Sequence, residues 1–176
     1  MPVVYIPATL PMLAQLVADG SLWPVNGTAF ALTPRLREAY AEGDDDELAD
    51  VALREAALAS LRLLAARETE AAEGADASSG SPPPRRAVLA ADVEDVTYRP
   101  DLDDAVVRLS GPVPIEDVIA AYVDNAGAEP AVAKAIEAVD AADLGDEDAD
   151  LIVGDAQDHD LAWYANQELP FLLELM

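Results

Sequence analysis

Apolar residues recur along this chain in two rhythms, one of short β-branched runs and one of helical stripes. Val3-Val4-Tyr5-Ile6, closed by Pro7, predicts a strand. Thr9 stands where a helix cap belongs, Pro11 falls in the first turn, Leu13, Leu16 and Val17 share a side and Gly20 ends the run, so a helix is expected over 10–19. After the turn signal Asn26-Gly27, Thr28 to Leu32 predicts a second strand, and Thr33-Pro34 opens a short helix to Tyr40. The longest helix is predicted from Asp45 to Arg67. Acids cluster at its start, arginines lie toward its end, and Leu53, Ala57, Leu61 and Leu64 form a stripe along it.

Residues 68–84, ETEAAEGADASSGSPPP, lack leucine, isoleucine, valine and aromatics and end in three prolines. They predict a flexible excursion within a single domain that spans 1–176. Further strands are expected over 86–91 and 105–109, with 93–98 either extending the first of them or following it as a third. Pro114 opens what reads as a helix, since Ile115, Val118, Ile119, Tyr122 and Val123 have helical spacing; a second opens at Pro130. Leu151-Ile152-Val153 is too short to assign. Leu161 to Leu169 reads as a helix with Trp163 and Tyr164 anchoring it in the core, and Pro170 stops it before the apolar end Phe171 to Met176. Such an end predicts docking against the core or against a second subunit, with a homodimer as the expected partner in the second case. The fold class that follows is α+β: a small mixed or antiparallel sheet of about four or five strands packed with five or six helices.

Composition changes this picture in two ways. The chain holds 176 residues with 35 acidic and 10 basic side chains, a formal charge of −25, yet 52% of its residues are hydrophobic, so the charge does not make it a disordered acidic tail. With no cysteine and a single histidine, disulfides, thiolate metal sites, cysteine nucleophiles and multi-histidine centres within one chain are excluded. One lysine and nine arginines scattered among acids argue against a direct grip on nucleic acid or on an anionic membrane surface. No basic leader opens the sequence and no segment reaches the roughly 20 apolar residues of a membrane span, so the expected location is cytoplasmic.

Candidate chemistry concentrates late in the chain, where residues 140–160 carry nine carboxylates and only His159 against them. Asp146-x-Asp148-x-Asp150 copies the first alternating ligands of an EF-hand loop, but Leu151 replaces the required glycine and Gln157 the required glutamate, so that reading fails and a solvated acidic face remains. His159, Asp158 and Asp160 are the catalytic candidates, an imidazole beside carboxylates being the pairing that moves protons. Asp155, Asp158 and His159 are the candidate ligands of a weak divalent cation. The competing reading makes Asp158 or Asp160 a helix cap and His159 an exposed residue. Asp92, Glu94, Asp95, Asp101, Asp103 and Asp104 form a second acidic group around a turn, read as charged turn residues. Arg85-Arg86 and Arg35-x-Arg37 could each hold an anion but read better as partners of nearby acids. No phosphate-loop, dinucleotide or nucleophile-elbow motif occurs, so no cofactor-binding residue is assigned and no cofactor is expected beyond that weak cation.

Val4-Tyr5-Ile6-Pro7-x-Thr9-Leu10, Ala29-Phe30-Ala31-Leu32-Thr33-Pro34-x-Leu36-Arg37, the helix around Leu48 to Leu64, and Leu161-x-Trp163-Tyr164-x-x-Gln167-Glu168-Leu169 together resemble an uncharacterised family of small acidic actinobacterial proteins, over almost the whole chain. The resemblance implies a discrete domain and brings no reaction, ligand or site residue. Two classes of function then compete. The better fit is a noncatalytic cytoplasmic interaction or regulatory domain with a protein partner, one version being an acidic mimic of nucleic acid. The alternative is a small metal-dependent hydrolase using Asp155, Asp158, His159 or Asp160, which requires those side chains to converge in a pocket walled by Trp163 or Tyr164.

Overall fold

A computed structural model describes residues 3–24, 27–40, 42–73, 83–94, 96–99, 101–102 and 105–174. Its centre is β1 (Val3–Ala8), paired antiparallel on one side with β3 (Thr28–Ala31) and on the other with β4 (Ala87–Asp92). Outward from β3 lie β6 (Val106–Leu109) and β5 (Val96–Tyr98); outward from β4 lie β8 (Val118–Val123) and β9 (Ala162–Ala165). Every pairing is antiparallel. The two-residue strands β2 (Ser21–Leu22) and β7 (Val113–Pro114) form a separate pair. The α+β class stands, but the expected four or five strands are overturned: the described residues form nine, seven in one sheet and two in the other.

The two additional strands of the large sheet, β8 and β9, come from segments whose apolar spacing fits both rhythms. Val118-Ile119-Ala120-Ala121-Tyr122-Val123 is a continuous apolar run between Asp117 and Asp124, and such a run satisfies helical spacing by default. Bordered on both sides by β4 and β9 and buried on both faces, it is a strand, preceded by the single helical turn Ile115–Asp117. A register shift between Ala90 and Ala91 of β4 pairs Ala91 with Val118 and pushes Ile119 out to 47% exposure. Ala162 to Ala165 likewise becomes the edge strand β9 rather than a helix, which leaves Trp163 at 57% exposure instead of in the core.

The helices follow the sequence more closely. α1 (Leu10–Asp19) ends on Gly20 at φ 78, the left-handed conformation a glycine adopts without strain. α2 (Pro34–Ala39) is capped by Thr33, whose Oγ1 accepts from the Leu36 amide at 3.0 Å. α3 (Asp45–Glu73) continues past Arg67, through residues assigned above to the excursion; 74–82 lie outside the described residues. α4 (Glu129–Asp143) matches expectation, α5 (Glu147–Gln157) absorbs the unassigned Leu151 to Val153, and α6 (Leu169–Glu174) forms from the apolar end.

Strand alternation sends side chains to two faces. Val4, Ile6, Ala29, Leu89, Ala121 and Val123 meet α1 and α6 on one. On the other, Tyr5, Phe30, Val88 and Tyr122 meet α2 and the first half of α3. The second half of α3 packs with α4 and α5 in a third cluster around Leu61, Val132, Val139 and Val153. Leu169 and Leu172 are buried against this chain's own core, while Phe171 is 68% exposed. No helix among the described residues is long and apolar enough to cross a membrane.

Candidate functional site

Two concave regions lie at opposite ends of β4, and each is made by what the strand's terminal residues hold in place. At its start, Arg86 is 1% exposed and faces Asp124, which follows β8 and is fully buried. Arg86 Nε and Nη2 donate to the two Asp124 carboxylate oxygens at 2.8 Å each, and the Arg86 amide donates to Asp124 Oδ2 at 2.8 Å. The fork geometry of guanidinium on carboxylate is the arrangement that holds such a pair away from water. The same guanidinium reaches the α5–β9 connection, through Nη1 to Gln157 Oε1 at 2.8 Å and Nη2 to the His159 carbonyl at 2.9 Å. One side chain thus fastens the end of α5 and the entry to β9 onto the middle of the sheet. The paired reading of Arg85-Arg86 holds for both residues, since Arg85 meets Glu129 at 3.3 Å.

Above Arg86 is a cleft of about 250 Å³. One wall is a single face of α3, where Asp50, Leu53, Arg54 and Ala57 recur at helical spacing; the other is the segment from Gln157 to Leu161. His159 and Asp160 line it, whereas Asp155 and Asp158 do not, nor do Trp163 and Tyr164. Asp155 is exposed on α5, and Asp158 is the residue at that helix's C-terminal end. The structure therefore brings together two of the four candidate residues and leaves the others on solvent-facing backbone. Among the described residues no three His, Cys, Asp or Glu side chains gather closely enough to hold a metal ion. Asp146, from the EF-hand-like run, caps α5 by accepting the Ala149 amide at 2.9 Å, and Glu147, Asp148 and Asp150 stand in that helix's first turn, where the dipole favours acids.

Beneath α3, Tyr5 and Tyr122 meet edge to face with ring centroids 6.4 Å apart. Burial pushes both phenols above their ordinary range, and the Asp50 carboxylate adds to the shift in each.

The other end of β4 opens into a cleft of about 710 Å³. Asp92 and Glu94 at the end of β4 and Glu116 and Asp117 before β8 line it, with Val93, Leu109, Pro112 and Ile119 as apolar lining and, among the described residues, no lysine or arginine in its wall. Asp92 Oδ1 is buried and has no hydrogen-bond partner among the described residues. Asn166 fixes the turn that carries Glu116 and Asp117, its Nδ2 donating at 2.7 Å to the carbonyls of both Ile115 and Val118. Of the second acidic group in the sequence, Asp92 and Glu94 belong to this cleft. Asp101 instead forms an exposed pair with Arg99 at 2.8 Å, which holds its carboxyl below the usual range, and Asp95, Asp103 and Asp104 lie outside the described residues. Sequence reasoning missed Glu116 and Asp117, because a helix from Pro114 would have turned them away from β4. The partnership of Arg86 with Asp124 was also missed; its one signal was a charged residue directly after an apolar run.

The chain matches, over residues 3–173, the Family of unknown function (DUF6912), and it belongs to that family. No curated protein matches it. No solved structure matches it either.

Proposed function

We propose that this chain is a noncatalytic interaction domain, working in the cytoplasm of an actinobacterial cell, that grips a basic segment of a partner protein in the cleft between Asp92 and Asp117. The observation that carries this reading is a concave wall with four carboxylates and, among the described residues, neither a cation nor a hydrogen-bond donor for the buried Asp92 Oδ1. Such an oxygen is costly to leave unmatched, and an arginine or lysine side chain is the donor that relieves it. No three of these carboxylates gather closely enough among the described residues to hold a metal ion, which suits an extended cation better. Val93, Pro112 and Ile119 supply contact for the aliphatic part of a basic side chain or for its apolar neighbour. The formal charge of −25 speeds the encounter with such a segment, and the alanine-, aspartate-, arginine- and proline-rich composition supports the source.

The test is fluorescence anisotropy with a labelled peptide of alternating arginine and leucine, titrated with the protein over a salt series. Saturable binding that weakens as salt rises is expected. Glu116→Gln with Asp117→Asn should weaken it about tenfold, in the range of charge-assisted hydrogen bonds. Asp148→Asn with Asp150→Asn on α5, which removes the same charge elsewhere, should change it less than about twofold. Equal loss in both pairs would reduce the interaction to general attraction by an acidic protein, and absence of saturable binding would end the proposal.

A further inference from the structure

The cleft above Arg86 has a charge arrangement of a different kind. Its wall on α3 carries Asp50 and Arg54 one turn apart, a spacing at which an acid and a base commonly bridge, yet neither forms an ion pair among the described residues. The Arg54 main-chain carbonyl accepts from Gln157 Nε2 at 3.4 Å. On the opposite wall the Asp160 carboxylate is likewise without an ion pair among the described residues. At the base, Arg86 spends its Nε–H, both Nη2 hydrogens and one Nη1 hydrogen on Asp124, the His159 carbonyl and Gln157, which leaves one Nη1 hydrogen of a 1% exposed guanidinium without an acceptor among the described residues. Leu53, Ala57 and Leu161 supply an apolar lining between these groups.

A simple anion entering here would meet Arg54 and the spare Arg86 hydrogen but also two carboxylates, in a chain whose overall charge of −25 repels it. A simple cation would meet the carboxylates but also two guanidinium groups. Among the described residues one guanidinium and two carboxylates without an ion pair, with one spare buried donor, surround an apolar strip, and their complement is a dipolar molecule with its charges at one end of an aliphatic body. At about 250 Å³ the cleft is smaller than the roughly 300–1,000 Å³ that houses drug-sized ligands, which limits the occupant to a few heavy atoms beyond its charged groups. From this geometry we infer that the cleft binds a free aliphatic α-amino acid, its carboxylate held by Arg54 and Arg86, its ammonium by Asp50 and Asp160, and its side chain against Leu53, Ala57 and Leu161. This site is separate from the acidic cleft, sharing none of its lining, so either reading can fail without the other.

The experiment uses the full chain labelled with ¹⁵N and four probes, L-valine, L-leucine, L-isoleucine and L-methionine, each added up to about 20 mM, which covers affinities weaker than 1 mM. Saturable amide shifts confined to Arg54, Ala57, Gln157 and His159 are expected for at least one of them. For the tightest of the four, its N-acetyl and its amide derivatives, each lacking one charge, should bind at least about tenfold more weakly; equal binding of the amide would make the occupant a peptide N-terminus and overturn the assignment to a free amino acid. Arg54→Met keeps the aliphatic stem and removes the charge, and Asp50→Asn removes the other. Both positions are exposed, so both variants should unfold at the wild-type midpoint while losing at least about tenfold in affinity. No saturable shift with any of the four probes, or shifts untouched by both substitutions, would overturn the inference.

Discussion

The buried Arg86–Asp124 pair is where single residues matter most, because it joins β4, β8 and the α5–β9 connection at one point. Asp124→Asn is expected to destabilise the fold by about 3–5 kcal/mol, since it removes the opposite charge from a guanidinium that is only 1% exposed. Replacing both partners, Arg86→Met with Asp124→Leu, should recover much of that loss, and urea unfolding of the two singles and the double measures the coupling. Strictly additive losses would show that the pair acts only as two separate packing groups. Ser60 serves a neighbouring place in the fold: its hydroxyl donates to the Ala8 carbonyl at 2.7 Å and accepts the Ala87 amide at 3.0 Å, at the end of the β1–β4 ladder. Neither arrangement was legible in the sequence. Local rules reach three or four residues along a helix, and Arg86 meets a carboxylate 38 positions away through strand register alone. What was legible was the kind of partner: in so acidic a chain, Arg85 and Arg86 each found an acid.

At the scale of elements, the segments that were read correctly carry punctuation as well as pattern. Thr33-Pro34 and Gly20 mark helix ends because each solves a backbone problem in place, by capping an amide or adopting φ 78. The segment before Asp124 has no such marks, and its apolar run is compatible with either rhythm. Only the sheet decides, by offering a strand position between β4 and β9. That outcome moved Glu116 and Asp117 to the rim of a cleft, so misreading one element hid half of the candidate site. The apolar end behaves more simply. Leu172→Ala in α6 should cost about 2–5 kcal/mol, because its side chain fills the core beneath α1, whereas Phe171→Ser should stay within about 0.5 kcal/mol of wild type. Thermal or urea unfolding of the two variants separates them, and equal effects would mean that α6 does not rest on the core as described.

For the whole molecule, charge and topology set the terms. Residues 135–176 hold twelve acids and no lysine or arginine, and nine of the twelve stand on exposed positions of α4, of α5 or at the two ends of α5 rather than in a tail. Their mutual repulsion opposes the compact state, so raising NaCl from about 20 mM to about 0.5 M should raise the thermal midpoint. A fall would mean that exposed pairs such as Arg62 with Asp143, at 2.9 Å, outweigh the repulsion. The central position of β1 has a consequence for synthesis. β1 leaves the ribosome before both of its partners and finds β3 early, but its other neighbour ends at Asp92, and at about 5–20 residues per second that partner arrives roughly 4–17 s after β1 itself. Until then the nascent chain carries an open edge along Val4 and Ile6, and any truncation short of Asp92 would leave that edge as a template for pairing with other chains.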